Sequence, residues 1–520
     1  MAANVEAQLK DPEYDTQVHQ VRDPNARPEA FKSTFQEVLC VIVVCLAVAT
    51  SSIPEGSFQT SLTNLANSFE VNGGQLVWSV SSIVLSSGSF LLIGGKLTDC
   101  FGRRRVMLFC FSGFTLASLV AGFMKNFIGL VILRAVEGLF FAPLIPAGAG
   151  LIGSLYKESR RRNVAFAVFS SGGAIGYIAG LLIGGVSVTA FSWRAVQFFT
   201  AIFFGAVTIV AYFVVPKDKP LDKITVKQTL LKLDYLGSFL ILSAFALISF
   251  SLTQVDAAKR RWHTPYIYSL LIVGIFLLGV FILVELYVAH DPIMPMQLWR
   301  NNNFVLSMVV ASLTWVTFIG CLGYYPMLYF QDIKNWGALH TALAAMPMGV
   351  SGIFTNLFVA VSFHVISGKI MLIGGNLCIL GASIIWATMG YHRNYWLGPF
   401  WGYILSAVAC DITYNVCTMV TMSAVDVKDQ GSAAGVFNTI LQLVTVVGLS
   451  LGSVLISARD PYYGKSEQNL YPELLFYGIR NVFYLAIGFS GAALIISFFV
   501  NVGTSGSAKA LNKEEPCQER

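Results

Sequence analysis

Fourteen predominantly apolar stretches run through this chain of 520 residues. Each is close to the roughly 20 residues that a helix, rising 1.5 Å per residue, needs to cross the ~30 Å hydrocarbon core of a bilayer. They fall near 38–58, 76–93, 106–123, 127–152, 164–186, 195–215, 236–252, 266–288, 304–329, 343–363, 370–389, 397–420, 433–456 and 482–500. Stretches this long and this uniformly apolar fold as helices, because in lipid each must satisfy its own backbone hydrogen bonds. The expectation is an all-α integral membrane protein with 14 transmembrane helices.

Composition removes other classes. At 55% hydrophobic and 12% charged residues the chain lacks the polar surface that would cover a soluble globule. Its net charge of +6 lies in short basic clusters between apolar runs. That pattern suits lipid headgroups and not a nucleic acid, which asks for a continuous basic face. The nine cysteines are scattered, with no Cys-x-x-Cys pair and no Cys/His spacing of a zinc site, and read as small hydrophobes. The six histidines are dispersed too, which argues against a membrane enzyme built on a histidine cluster. No Walker-type phosphate loop occurs, so ATP is not the expected energy source, and neither metal nor cofactor is expected. The polar residues 1–37 lack the apolar core of a signal peptide, so the first span is expected to serve as its own anchor.

An even number of spans leaves both termini on one side. With the N-terminus inside, inner segments hold 23 of the 34 Lys and Arg residues, outer segments hold 10, and Arg134 lies within a span. The asymmetry predicts cytoplasmic termini, although the outer cluster Lys259-Arg260-Arg261 runs against it. Two longer polar connectors, 216–235 and 289–303, set the seventh and eighth spans apart and give a 6 + 2 + 6 arrangement. The units are a tail (1–37), a six-helix bundle (38–215), a linker with two extra spans (216–303), a second six-helix bundle (304–500) and a tail (501–520). The loop after the second span carries a basic motif, and a worn echo, His364-Val365-Ile366-Ser367-Gly368-Lys369, follows the tenth. Paired bundles with a site between them are a recurring design of secondary transporters.

Gly95-x-Leu97-x-Asp99-x-Phe101-Gly102-Arg103-Arg104-Arg105, between the second and third spans, resembles motif A of the major facilitator superfamily. Its glycines permit a tight turn, Asp99 suits a helix N-terminus, and the resemblance implies a gating latch formed by Gly95, Asp99, Gly102, Arg103 and Arg104. Leu133-Arg134-Ala135-Val136-Glu137-Gly138 in the fourth span resembles motif B, with Glu137 where the family often has Gln. Two readings of Arg134 and Glu137 stand: a mutually neutralising pair on one helix face, or a part in proton coupling or gating. In the fifth span Gly172, Gly176, Gly180 and Gly184 recur every four residues, with Gly173 and Gly185 alongside, so one helix face is nearly bare and suited to close packing. Gly180-Leu181-Leu182-Ile183-Gly184-Gly185 resembles the antiporter motif G-P-x-x-G-G, with Leu181 in place of its proline. Gly180→Leu is expected to disrupt this face and Leu181→Ala to be mild.

Ser192-Trp193-Arg194 and Asp234-Tyr235-Leu236-Gly237 resemble the fourteen-span drug:proton antiporter branch, and the first span reads Ser51-Ser52-Ile53-Pro54-Glu55-Gly56 in place of the D-x-T-x-x-N of many bacterial members. Gln331, Met346-Pro347-Met348, Asp411-Ile412-Thr413-Tyr414-Asn415-Val416, and Gln430-Gly431 before Asn438 and Gln442 are similar to fungal members. Asp411 lies midway along the twelfth span with no Lys or Arg in its own helix, so any partner comes from another helix. The resemblance places the fourth and twelfth spans around a central cavity, which makes Arg134, Glu137, Asp411 and Asn415 candidates for coupling or cavity lining. The alternative for Asp411 is a packing hydrogen bond to Tyr414, Asn415 or Arg134.

The resemblance implies the major facilitator fold and a monomeric secondary transporter. It implies proton-coupled export of drugs, toxins or metabolites, or else uptake of a small ion or nutrient such as ammonium or borate. The membrane implied is the plasma membrane or, alternatively, the vacuolar membrane. Reporter fusions are expected to place both termini and the 95–105 loop in the cytoplasm; an externally accessible C-terminus would contradict the fourteen-span arrangement.

Overall fold

The computed structural model describes residues 27–502 other than 72, 157–159, 218–233, 255–260, 289–298, 363–364, 392–393, 424–429, 461 and 464–471. His364, Lys259-Arg260, most of both polar connectors and most of both tails therefore lie outside the described residues, as do the side chains of Asp99, Arg261, Gln430 and Gly431. The first half of the chain forms α1 (Thr34–Thr60), α2 (Leu62–Phe69), α3 (Gly74–Phe101), α4 (Arg103–Gly122), α5 (Phe127–Phe141), α6 (Leu144–Leu155), α7 (Arg160–Ala190) and α8 (Trp193–Val214). Next come α9 (Tyr235–Thr253) and α10 (Pro265–Tyr287). The second half holds α11 (Asn302–Ile333), α12 (Ala338–Ser362), α13 (Gly368–Ala387), α14 (Pro399–Ser423), α15 (Gln430–Arg459) and α16 (Pro472–Ser497). Among the described residues, 13 helical segments are long and apolar enough to cross a membrane, with α5 and α6 counted as one; α3 is a further helix of 28 residues.

Local chemistry refines the expected spans. The fourth is two helices, because Pro143 lacks the N–H that would bond one turn back and interrupts the ladder after Phe141. At that break α3 comes so close that a Cβ on Gly94 would lie 2.7 Å from Pro143 Cα. The ninth extends to Ile333 and includes two π-helical stretches, Val316–Gly323 and Tyr329–Ile333. Such widened turns are found mostly at functional positions, and Pro326, which cannot donate to the ladder, lies between them.

The glycines of α7 meet α1 in register. A Cβ on Gly172 would lie 2.3 Å from the Cys45 carbonyl, one on Gly176 2.9 Å from Ala49 Cβ, one on Gly180 2.3 Å from the Ile53 carbonyl, and one on Gly184 2.6 Å from Ser57 Cα. The α1 partners also step by four, so two four-residue ridges run together and the backbones themselves make the contact. Gly185 faces elsewhere: its Cβ would meet Ala342 at 2.9 Å and Leu339 Cα at 3.0 Å on α12.

α7 and α12 therefore form one seam between the halves, extended by Ile178 against Gly349. α3 and α15 form the other, where a Cβ on Gly88 would lie 2.8 Å from Gln442 Cβ. α9 spans this second seam from outside. Thr253 Oγ1 accepts from Trp78 Nε1 on α3 at 2.9 Å, and Ser249 shares a 2.7 Å hydrogen bond with Ser450 on α15. α10 packs on α9 through Gly274 and is lipid-facing along much of its length.

At the end carrying Thr60 and Ile333, hydrogen bonds cross between the halves, from Thr63 to Gln331 and from Gln331 to Gln59. At the opposite end the bonds described stay within one half. Gln36 donates to the Val214 carbonyl, Tyr156 to Glu37 and Asn303 to the Asn501 carbonyl. Burial and then the Glu37 carboxylate push the Tyr156 phenol up, so it remains a donor.

Leu181, expected to tolerate trimming, is fully buried, and its removal leaves a cavity. Leu181→Ala is thus expected to cost about 2–5 kcal/mol. Gly180→Leu has no space at all and should abolish stable assembly. Thermal unfolding of the detergent-solubilised protein measures both, and an unchanged midpoint for Gly180→Leu would refute the close contact.

Candidate functional site

Arg134 is a charged side chain with no exposure inside the first bundle. Its Nη1 contacts Glu137 Oε2 at 3.1 Å, and its Nε donates to the Ser79 carbonyl of α3 at 3.0 Å. The ring of Phe58 on α1 lies 3.8 Å from the guanidinium carbon, a favourable placement for a cation on an aromatic face. Glu137 is equally buried and accepts from Ser118 of α4 at 2.9 Å. The pair draws α1, α3, α4 and α5 together, and an intramembrane charge is tolerable on such terms. Nη2 of Arg134 has no hydrogen-bond partner among the described residues.

Glu55 completes this group and was not singled out in the sequence as a site residue. It follows Pro54 on α1, is only partly buried, and lies within electrostatic reach of Arg134, Tyr177 and Cys410. Cys410 is on α14, in the other half, and also feels Asp411. Glu55 is therefore within electrostatic reach of residues from both halves. The signal was available: a lone carboxylate inside an apolar stretch is by default a functional residue.

Asp411 meets α12. Asn356 lies beside the Asp411 side chain and donates Nδ2 to the Gly352 carbonyl at 3.0 Å, and a Cβ on Gly352 would lie 2.9 Å from Asp411 Oδ2. Asn415 donates to the Asp411 carbonyl at 2.8 Å and to Asn356 Oδ1 at 3.1 Å, so Asp411, Asn415 and Asn356 form one cluster. Beside it Tyr414 donates to Asn438 at 3.0 Å and its ring stands 5.7 Å from that of Trp315. Among the described residues Asp411 has no ion-pair partner, and Arg134 pairs with Glu137 instead. Asp411, Asn356, Tyr414 and Asn415 all keep some accessible surface although they lie mid-helix.

The basic motif divides into separate contacts. Gly102 separates α3 from α4 at φ 90°, a backbone region that favours glycine, and its N–H donates to the Thr98 carbonyl at 3.0 Å. Gly95 faces Pro146, with 3.9 Å between its would-be Cβ and the proline ring. The Arg103 guanidinium lies over Gly150 of α6, and Arg104 donates to the Tyr212 carbonyl of α8 with its guanidinium 5.4 Å from the Tyr212 ring. The side chain of Asp99 lies outside the described residues.

Two helix bundles with paired seams and polar groups between them are the architecture of a transporter. The sequence matches the Major Facilitator Superfamily over residues 44–449, and the chain belongs to that family. It is 28% identical to the low affinity ammonium transporter of Saccharomyces cerevisiae, over 90% of this chain and 88% of that protein. It is 26% identical to the efflux pump terG of Aspergillus terreus, over 89% of this chain and 86% of that pump. The fold is similar to the crystal structure of the peptide transporter POT in complex with sulfate, with a TM-score of 0.62 at 13% identity, covering 89% of this chain and 94% of that one. The protein is a multi-pass membrane transporter that works by alternating access, and not an enzyme.

Removing one member of a buried pair leaves the other charge uncompensated, at a cost of about 3–5 kcal/mol. Glu137→Ala and Arg134→Ala are each expected to lower stability by about this much, and the double substitution to be clearly less than additive. Thermal unfolding of the three purified proteins tests this; additive losses would show that the two groups act independently.

Proposed function

We propose that the protein is a proton-coupled exporter of small organic solutes, with Glu55 from one bundle and Asp411 from the other as the groups whose occupancy drives the exchange. The observation that supports this reading is the mid-helix cluster of Asp411, Asn415 and Asn356, which keeps accessible surface and, among the described residues, has no ion pair. Glu55, from the other half, is likewise a partly accessible carboxylate within a span. A carboxylate with an amide beside it and no cation paired to it, as Asp411 has Asn356, can exchange a proton without breaking an ion pair. Arg134 and Glu137 then act as a fixed, neutralised support beside Glu55, while Asn415 positions Asn356 against Asp411. The aromatic pair of Trp315 and Tyr414 offers an apolar wall to an organic solute.

The same reading takes α3 as a fourteenth span and the arrangement as 6 + 2 + 6, with bundles 38–215 and 304–500 joined through 216–303 and with both termini cytoplasmic in the plasma membrane. The end bearing Thr60 and Ile333 is then the outer face, held closed by bonds between the halves. In this orientation Gly95, Asp99, Gly102, Arg103 and Arg104 form the cytoplasmic latch, and the antiporter-like segment packs helices closely, Gly176, Gly180 and Gly184 against α1 and Gly185 against α12. The protein functions as a monomer. An uptake carrier for a small ion is the second reading, favoured by the similarity to the yeast ammonium transporter.

Proteoliposomes with an imposed pH gradient decide between them. With organic cations, toxins and ammonium offered in turn, export is expected to run against the proton flux and to depend on pH. Asp411→Asn keeps the side-chain shape but removes the exchangeable proton, so uphill transport should fall at least about tenfold while solute exchange without a gradient persists. Uphill transport by Asp411→Asn at the unsubstituted rate would refute the coupling role, and solute movement in the direction of the protons would favour uptake.

A further inference from the structure

At the end of the bundle that carries Ile333, three side chains tie the halves together. The Thr63 N–H of α2 donates to Gln331 Oε1 at 3.1 Å. Its hydroxyl lies 2.9 Å from that same Oε1 and 2.8 Å from Asp332 Oδ1. Gln331, which is buried, donates Nε2 to the Gln59 carbonyl of α1 at 3.1 Å. These bonds fix the amide orientation. Turned over, the NH2 would face the Thr63 N–H and the oxygen would face the Gln59 carbonyl.

With Oε1 established as an acceptor, the hydrogens can be counted. Thr63 Oγ1 has one hydrogen and two acceptors at full bonding distance. If Asp332 is ionised, the two short oxygen–oxygen contacts must share that single hydrogen or one of them holds none. If Asp332 is the carboxylic acid, it donates to Thr63, Thr63 donates to Gln331, and every short contact holds a hydrogen. We propose that Asp332 is a proton-binding residue in a bolt between the two halves. The bolt is closed when Asp332 carries a proton taken from the adjacent aqueous face and opens when that proton leaves.

Among the described residues Asp332 has no ion-pair partner. α2 contributes no ionisable side chain. On the segment of Asp332 itself, Tyr324 lies within electrostatic reach, and Lys334 lies over the Tyr329 ring at 5.8 Å. α12 brings His340, stacked on Trp336 at 4.0 Å, and α16 brings Glu473, Tyr477 and Arg480, the last donating to the Ala387 carbonyl. On α1 the nearest is Glu55, reached through a chain of contacts: the Tyr177 hydroxyl donates to Gln59 Oε1 at 2.7 Å, and Tyr177 feels Glu55. The bolt is thereby connected to the central carboxylate. Naming this end the outer face rests on the topology proposed above, while the bolt does not.

Pulsed electron resonance on full-length protein in lipid tests the idea, with native cysteines replaced by serine and spin labels at Asn67→Cys and Gly337→Cys, both exposed. The expected result is a short, narrow distance at acid pH and a longer population at alkaline pH. Asp332→Asn, whose amide N–H replaces the acid O–H, should hold the short distance at both and slow transport about tenfold. Thr63→Val should give the long distance at both. A distance that ignores pH in the unsubstituted gate, or a pH response that survives in Asp332→Asn, overturns the proposal. If Asp332→Asn does not reach the membrane, a surviving response in Thr63→Val does the same. The readout is a distance, so failure of Asp411 as the coupling site leaves this result standing.

Discussion

A polar group inside a bilayer has no water to fall back on, and the arrangement of this protein follows from that. Hydroxyls within the helices return to their own backbone, as Thr98 does to the Gly94 carbonyl at 2.7 Å and Thr200 to Val196 at 2.8 Å. Larger polar groups need a partner helix. Arg134 takes Ser79, Glu137 and the face of Phe58, while Asp411 lies in a cluster with Asn356 and Asn415. Each requirement draws specific helices together, and polar residues thus mark the interior seams while the lipid face stays apolar.

The same solvent leaves helix association to van der Waals contact. α1 and α7 therefore meet where side chains are absent, and the step of four along both helices keeps them in contact over several turns. Adjacent glycines then serve different neighbours, Gly184 against α1 and Gly185 against α12. A helix shared in this way packs closely on both halves, on α1 through Gly172, Gly176, Gly180 and Gly184 and on α12 through Gly185 and Ile178.

What was legible in the sequence reflects how local each feature is. The spans, the bare face of α7 and the spacing of Arg134 and Glu137 depend on one helix only, and their periodicity can be read directly. The break at Pro143 was legible in principle from the missing N–H. Asn356 was not, because it meets Asp411 only through the packing of α12 on α14, and neither segment names the other. The π-helical stretches of α11 were equally hidden, since they depend on how the backbone accommodates Pro326 within the assembled bundle. Glu55 was visible as an intramembrane carboxylate, but its significance came from Arg134 and Cys410, which lie far away in sequence.

Charge that is fully neutralised and shielded in one bundle cannot report a change of state. Arg134 and Glu137 satisfy each other within a single half, so opening the seam leaves their energy largely unaltered. Glu55 and Asp411 differ in kind, since each retains accessible surface and each stands on a different half. A ligand shifts a conformational equilibrium only by the difference in its affinity for the two states. On the function proposed above, groups divided between the halves supply that difference, because separating the bundles alters what surrounds them both. Tyr177, within electrostatic reach of Glu55, donates to the Gln59 side chain, and the backbone carbonyl of the same Gln59 accepts from Gln331, so Gln59 is the residue through which, on the proposed reading, the centre meets the closed end.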